Sequence, residues 1–97
     1  MEILESLTVE FKSNVTPKIK NEVIAFTNTK GGTIYIGVDD KGKTVGLSDP
    51  DGDFDKIVNM LRDGIKPDIM EFIAIQIEEH DGKRIITVKV ETGSQRP

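Results

Sequence analysis

Leu7, Val9 and Phe11 alternate with Thr8, Glu10 and Lys12, which is the period of a strand. Ser13 and Asn14 break the pattern. Thr16-Pro17 then predicts a helix start, with Thr as N-cap and Pro where its missing N–H costs nothing. The helix carries Ile19, Val23 and Phe26 on one face, with Lys18, Lys20 and Asn21 off it. Asn28–Gly32 is too polar and too glycine-rich to continue the helix. Gly31 is the expected C-cap, because glycine takes the left-handed conformation without steric cost. Ile34, Ile36 and Val38 then alternate with Thr33, Tyr35 and Gly37 as a second strand, which runs out into Asp39 and Asp40. Asp40-Lys41-Gly42-Lys43 predicts a hairpin turn, Lys43–Leu47 a short return strand and Ser48–Asp53 a loop. Phe54, Ile57, Val58, Leu61 and Ile65 are spaced as one face of an amphipathic helix that ends between Gly64 and Pro67. Two more alternating runs follow, Ile73-Ile75-Ile77 and Ile86-Val88-Val90. His80-Asp81-Gly82-Lys83 joins them with the Asp-Gly hairpin signal.

The predicted order is strand, helix, hairpin, helix, hairpin. That order implies an α+β fold with a single mixed or antiparallel sheet of about five strands and two packed helices. The 97 residues suffice for one small domain with a modest core, so residues 1–97 are read as a single domain. The chain turns polar over Glu91–Pro97 and ends on Arg96-Pro97 with no stop signal. The expectation is therefore the N-terminal part of a longer protein.

Composition narrows the classes. Hydrophobic residues make up 36% and charged residues 31%, a balance suited to a globular domain rather than wholesale disorder. No apolar run approaches the roughly 20 residues of a membrane span. The start, MEILESL, is acidic and lacks the basic region and apolar stretch of a signal peptide. With no cysteine there is no disulfide framework and no thiolate metal site. Cytoplasmic residence without membrane association is the expectation. Net charge is −4, and the acidic excess falls in the second half of the chain. A nucleic-acid binder is normally basic, so any nucleic-acid contact here is expected at a local basic face in the first half.

Several motifs occur in order along the chain. They are Glu5-Ser6 with Val9-Glu10-Phe11-Lys12, then Ala25-Phe26-Thr27-Asn28-Thr29-Lys30-Gly31-Gly32, then Ile36-Gly37-Val38-Asp39-Asp40 with Gly42 and Val45-Gly46. Ile65-Lys66-Pro67, Asp81-Gly82-Lys83 and Arg96-Pro97 follow. This ordered set resembles the Schlafen AlbA-like domain family over nearly the whole chain. In microbes the resemblance implies a DNA-binding module, often at the N-terminus of a transcriptional regulator. In animal Schlafen proteins a related domain cleaves tRNA and rRNA through three metal-binding carboxylates, which match Glu5, Glu10 and Asp40 here. Some descriptions attach ATP to the family. This chain has no G-x-x-x-x-G-K-[ST] phosphate loop, and Gly31-Gly32 joins a helix to a strand rather than a strand to a helix.

Three readings follow. The first is a non-enzymatic nucleic-acid-binding module, taking DNA or RNA, that contacts phosphates through Lys12, Lys18, Lys20, Lys30, Lys41 and Lys43 and the backbone N–H groups of Gly31 and Gly32. Its bland counterpart is a set of solubilising surface lysines. The second is a divalent-metal-dependent endoribonuclease in which Glu5, Glu10 and Asp40 hold Mg²⁺ or Mn²⁺. Glu5 and Glu10 are five positions apart, so one regular strand would point them to opposite faces, and a shared ion needs a bend near Ser6 or Leu7. Its bland counterpart is Glu10 paired with Lys12 on a solvated strand face. The third is a homodimerisation module. Phe11, Phe26 and Phe54 fall on apolar stripes and are assigned to the core, which leaves Tyr35 as the one candidate stacking platform. Asp49, Asp51, Asp53 and Asp55 surround Gly52, but a calcium loop wants glycine at its sixth and glutamate at its twelfth position. Capping of the second helix at Asp53 is the better account. His80, the only histidine, is read as a surface residue of the hairpin turn, outside any catalytic dyad.

Overall fold

Two short strands separated by a helix begin the sheet. In the computed structural model, which describes residues 8–92, β1 (Val9–Lys12) lies parallel to β2 (Gly32–Ile36), with Glu10 opposite Ile34 and Phe11 opposite Tyr35. Parallel neighbours need a crossover, and α1 (Lys18–Thr27) supplies it. Pro17 has helical dihedrals and so opens α1, as its fixed φ favours. The expected cap at Thr16 is not made, since no side chain caps this end and the Thr16 hydroxyl is buried with no partner among the described residues. At the other end Gly31, at φ +81°, gives its N–H to the Phe26 carbonyl at 2.9 Å and closes the turn into β2.

The second half builds an antiparallel hairpin and the larger helix. α2 (Pro50–Gly64) begins four residues before the expected position, with Asp49 rather than Asp53 as its cap. The Asp49 carboxylate accepts from the Gly52 N–H at 3.2 Å. Pro50 at the first helical position and Asp51 and Asp53 in the first turn suit the positive end of the helix dipole. A short α3 (Pro67–Met70) leads into β3 (Ile73–His80) and β4 (Lys83–Val90). Both central residues of their turn, Asp81 (φ 55°) and Gly82 (φ 75°), are left-handed, as a type I′ Asp-Gly turn demands. β4 pairs antiparallel with β2 as well, so the described sheet is mixed and has the order β1-β2-β4-β3.

One face of the sheet carries the main core. Ile34, Ile36, Ile86, Val88 and Val90 pack under Ile19, Val23 and Phe26 of α1 and Ile57 and Leu61 of α2. Phe11 is buried as expected but on the opposite face, where it clusters with Val38 and Ile85 against Val9 and Tyr35. The register dictates this, because Phe11 sits opposite Tyr35 and Glu10 opposite Ile34, so Phe11 and Ile34 cannot share a face. β4 is therefore covered on both sides, and Ile85, Ile86, Thr87 and Val88 are buried without alternation.

The turn after β2 forms, but the return segment 43–47 makes only a single bridge, Val38 to Thr44. Val45 and Gly46 both direct their N–H groups to the Gly37 carbonyl, and Leu47 donates to Arg84. The segment thus spends its donors on a loop and on the β3–β4 hairpin instead of a ladder. Among the described residues no helix is long and apolar enough to cross a membrane.

Candidate nucleic-acid interface

Because α1 carries the chain back between two parallel strands, its first turn lies at the end of the sheet where β1 and β2 finish. That end gathers Lys12 from β1, Lys18 and Lys20 from α1, and Asp40, Lys41 and Lys43 from the turn after β2. β4 runs the other way, so its start brings Lys83 and Arg84 to the same end. The carboxyl ends of parallel strands are a common place for ligand groups. Lys30, Gly31 and Gly32 lie at the opposite end of β2, roughly 15 Å away at about 3.3 Å per residue. They line a shallow hollow of about 310 Å³ with Thr8, Thr33, Lys89 and Glu91. The predicted set is thus split in two.

The turn separates the roles of its two aspartates. The Asp39 carboxylate accepts the N–H groups of Lys41 and Lys43, both at 2.9 Å. The Lys43 N–H in particular holds its carboxyl below the usual aspartate range, burial opposes it, and the Lys41 N–H and both lysine charges add to the lowering. Asp39 is the turn's internal acceptor. Asp40 is exposed and has no hydrogen bond or ion pair among the described residues. The turn therefore presents Asp40, Lys41 and Lys43 outward together.

β1 places Glu10 and Lys12 two residues apart on its helix-facing side. The Lys12 ammonium lies 3.8 Å from Glu10 and 2.8 Å from Glu22 of α1. Lys12 is thus held between two carboxylates, which weakens it as a phosphate contact. The other Glu22 oxygen is buried with no partner in the described structure. Lys20 lays its methylenes over Gly64, where a Cβ would collide with them, while Lys18, Lys30, Lys41 and Lys43 are exposed. The Gly31 N–H, expected to meet a phosphate, is already given to Phe26. Glu5 lies outside the described residues. Among those described, no three histidine or acidic side chains are grouped to hold a metal ion.

Sequence reasoning missed two features. His80 is half-buried and its Nε2 lies 2.9 Å from a Glu78 oxygen, whose other oxygen accepts the Thr87 hydroxyl at 3.0 Å. The contact to His80 holds the Glu78 carboxyl below its ordinary range, Thr87 adding to it and burial opposing it. The spacing Glu78-x-His80 in a strand was a usable signal, since residues two apart share a face. His80 also borders a cleft of about 100 Å³ with Tyr35, Thr44 and Asp81, and the Tyr35 ring leans on Phe11 at 6.1 Å between centroids. The second feature is long-range: the Lys83 ammonium donates to the Thr44 carbonyl at 3.4 Å across 39 positions, which local sequence cannot reveal.

Comparison with known proteins agrees with this architecture. The N-terminal domain of a RecG-related protein from Nitrosomonas europaea, solved by NMR, is similar over 93% of this chain at 30% identity and a TM-score of 0.69. Its name relates it to an ATP-dependent DNA helicase, and this chain spans 66% of its length. The crystal structure of the DIP2311 protein from Corynebacterium diphtheriae is similar in fold, with a TM-score of 0.61 at 18% identity over 96% of this chain and 20% of that one. No curated protein sequence matches at a significant level. The profile described as Schlafen, AlbA_2 matches residues 5–97, and the chain belongs to that family.

Proposed function

We propose that this domain binds nucleic acid, with duplex DNA as its first target, as one part of a transcriptional-regulator-like protein. It engages phosphates with the end of the sheet where β1 and β2 finish. The observation that carries the reading is the turn at 39–43. Asp39 is turned inward as a fixed acceptor, and Lys41 and Lys43 stand exposed at the end of the sheet where β1 and β2 finish, the end at which α1 with Lys18 and Lys20 also begins. Membership of the AlbA_2 family and likeness to a domain of a RecG-related protein support it. The net charge of −4 limits the contact to this local face.

The test is anisotropy of labelled duplex DNA across a salt series. Each lysine engaged contributes about 0.9 to the slope of log affinity on log salt, so the pair Lys41→Ala and Lys43→Ala lowers the slope by about 2. An unchanged slope removes these lysines from the interface.

A second reading has its own observation in its favour. Asp40 is exposed and unengaged beside the strand that carries the Glu10–Lys12 pair. A metal-dependent endoribonuclease would need Glu5 to join Glu10 and Asp40, since the described residues alone assemble no such centre. Cleavage of tRNA that depends on Mn²⁺ and is lost in Asp40→Asn would favour it over the binding module.

A further inference from the structure

β3 is an edge strand eight residues long, and the described structure leaves its outer side without a strand partner. Its register with β4 is uninterrupted from Ile73–Val90 to His80–Lys83, with no bulge, and the strand contains no proline. Native edges of this length are usually blunted by proline, bulges or central lysines, because unpaired N–H and C=O groups recruit another strand.

The register shows which groups are exposed. Glu91 donates to the Phe72 carbonyl at 2.9 Å, so Phe72 and Glu91 form a hydrogen-bonded pair. Alternation along an antiparallel ladder then turns the backbone groups of Ala74, Gln76, Glu78 and His80 toward β4. Those of Ile73, Ile75, Ile77 and Glu79 point outward. The side chains of Ile73, Ile75 and Ile77 pack at the margin of the main core and stay half-buried, so the apolar layer reaches this edge without being closed there.

We propose that this edge pairs antiparallel with the β3 edge of a second copy of the chain, with the two-fold axis at Gln76. Charge selects the axis. At Gln76, Ile75 meets the partner copy's Ile77, Ala74 meets Glu78 and Ile73 meets Glu79, so no carboxylate of the strand lies opposite another. The outward groups of Ile75 and Ile77 form the hydrogen bonds, and the two Ile pairs join the apolar layers. An axis at Ile77 would put Glu79 opposite Ile75 and set the two Glu78 side chains diagonally together. An axis at Ile75 would pair only five residues of the strand. A C2 contact of this kind closes on itself and builds no fibre. Only one strand of each copy takes part, fewer residues than the roughly 20–30 a side of a standard complex, so association is expected to be reversible and concentration-dependent. This inference does not depend on the nucleic-acid reading.

The native chain has no cysteine, so single-cysteine variants report the register cleanly. Directly opposed residues have Cβ atoms about 4.5–5.5 Å apart, close enough for a disulfide after a small shift. Gln76→Cys is expected to give a disulfide-linked dimer under mild oxidation. Ala74→Cys and Glu78→Cys should each form no cross-link alone and cross-link when mixed. Sedimentation of the unmodified chain should show mass rising toward twice the monomer with concentration. Gln76→Lys, at an exposed position, should stay monomeric with unchanged thermal unfolding. Equal cross-linking at all three positions, a wild-type chain monomeric throughout, or a dimer that persists in Gln76→Lys would each overturn the proposal.

Discussion

Two glycines with nearly the same backbone angle separate conformational from steric cost. Gly31 has φ +81° and Gly82 has φ +75°. Replacing either by alanine forces a Cβ into the left-handed region, which costs roughly 1–2 kcal/mol, and both replacements stiffen the unfolded chain alike. The surroundings differ. At Gly82 nothing lies within 4 Å of the new Cβ. At Gly31 the Cβ runs into the Val90 carbonyl oxygen and sits 3.5 Å from the Glu91 Cα. Val90 cannot give way easily, because it is paired with Gly32 on one side and Ile73 on the other. Overpacking of this kind adds about 1–3 kcal/mol. Gly82→Ala should therefore lose about 1–2 kcal/mol and Gly31→Ala about 2–5 kcal/mol. Urea unfolding followed by far-ultraviolet circular dichroism measures both, with the slope checked for two-state behaviour. Equal losses, or the larger loss at Gly82, would refute the close approach of the α1–β2 turn to the end of β4.

Phe11→Ala should destabilise by about 3–5 kcal/mol, since it empties the centre of the cluster opposite the helices; a loss under 1 kcal/mol would mean that face is not packed. Glu78 has its folded pKa depressed by its contact with His80. Its contribution is fully present above the ordinary glutamate value and is lost as pH falls through the lower folded value. Urea midpoints taken from neutral to acid pH should show a shallower acid decline in Glu78→Gln, and identical profiles would remove this group from the acid response.

Much of the architecture was legible because local rules agreed with the fold. Ile57 and Leu61 of the predicted stripe became the buried side of α2, and the Asp81-Gly82 pair became a left-handed turn. What escaped was set by pairing between distant segments. Alternation marked Phe11 as buried but could not say on which face, since that follows from its register with Tyr35. The segment 43–47 has the residues of a strand, yet Leu47 is drawn to Arg84 and its neighbours to Gly37. The candidate site divides similarly. The exposed turn carrying Asp40, Lys41 and Lys43 was readable from Asp-Lys-Gly-Lys. The capture of Lys12 by Glu22 needed α1 to fold over β1, and the arrival of Lys83 beside Thr44 needed the whole sheet.

Titration of the isotopically labelled chain with a short DNA duplex at low salt, followed by amide chemical shifts, tests the proposed interface most directly. A phosphate-binding end predicts shifts concentrated at Lys18, Lys20, Lys41 and Lys43 that fade as salt is added. No shifts, or shifts confined to α2 or β3, would contradict it.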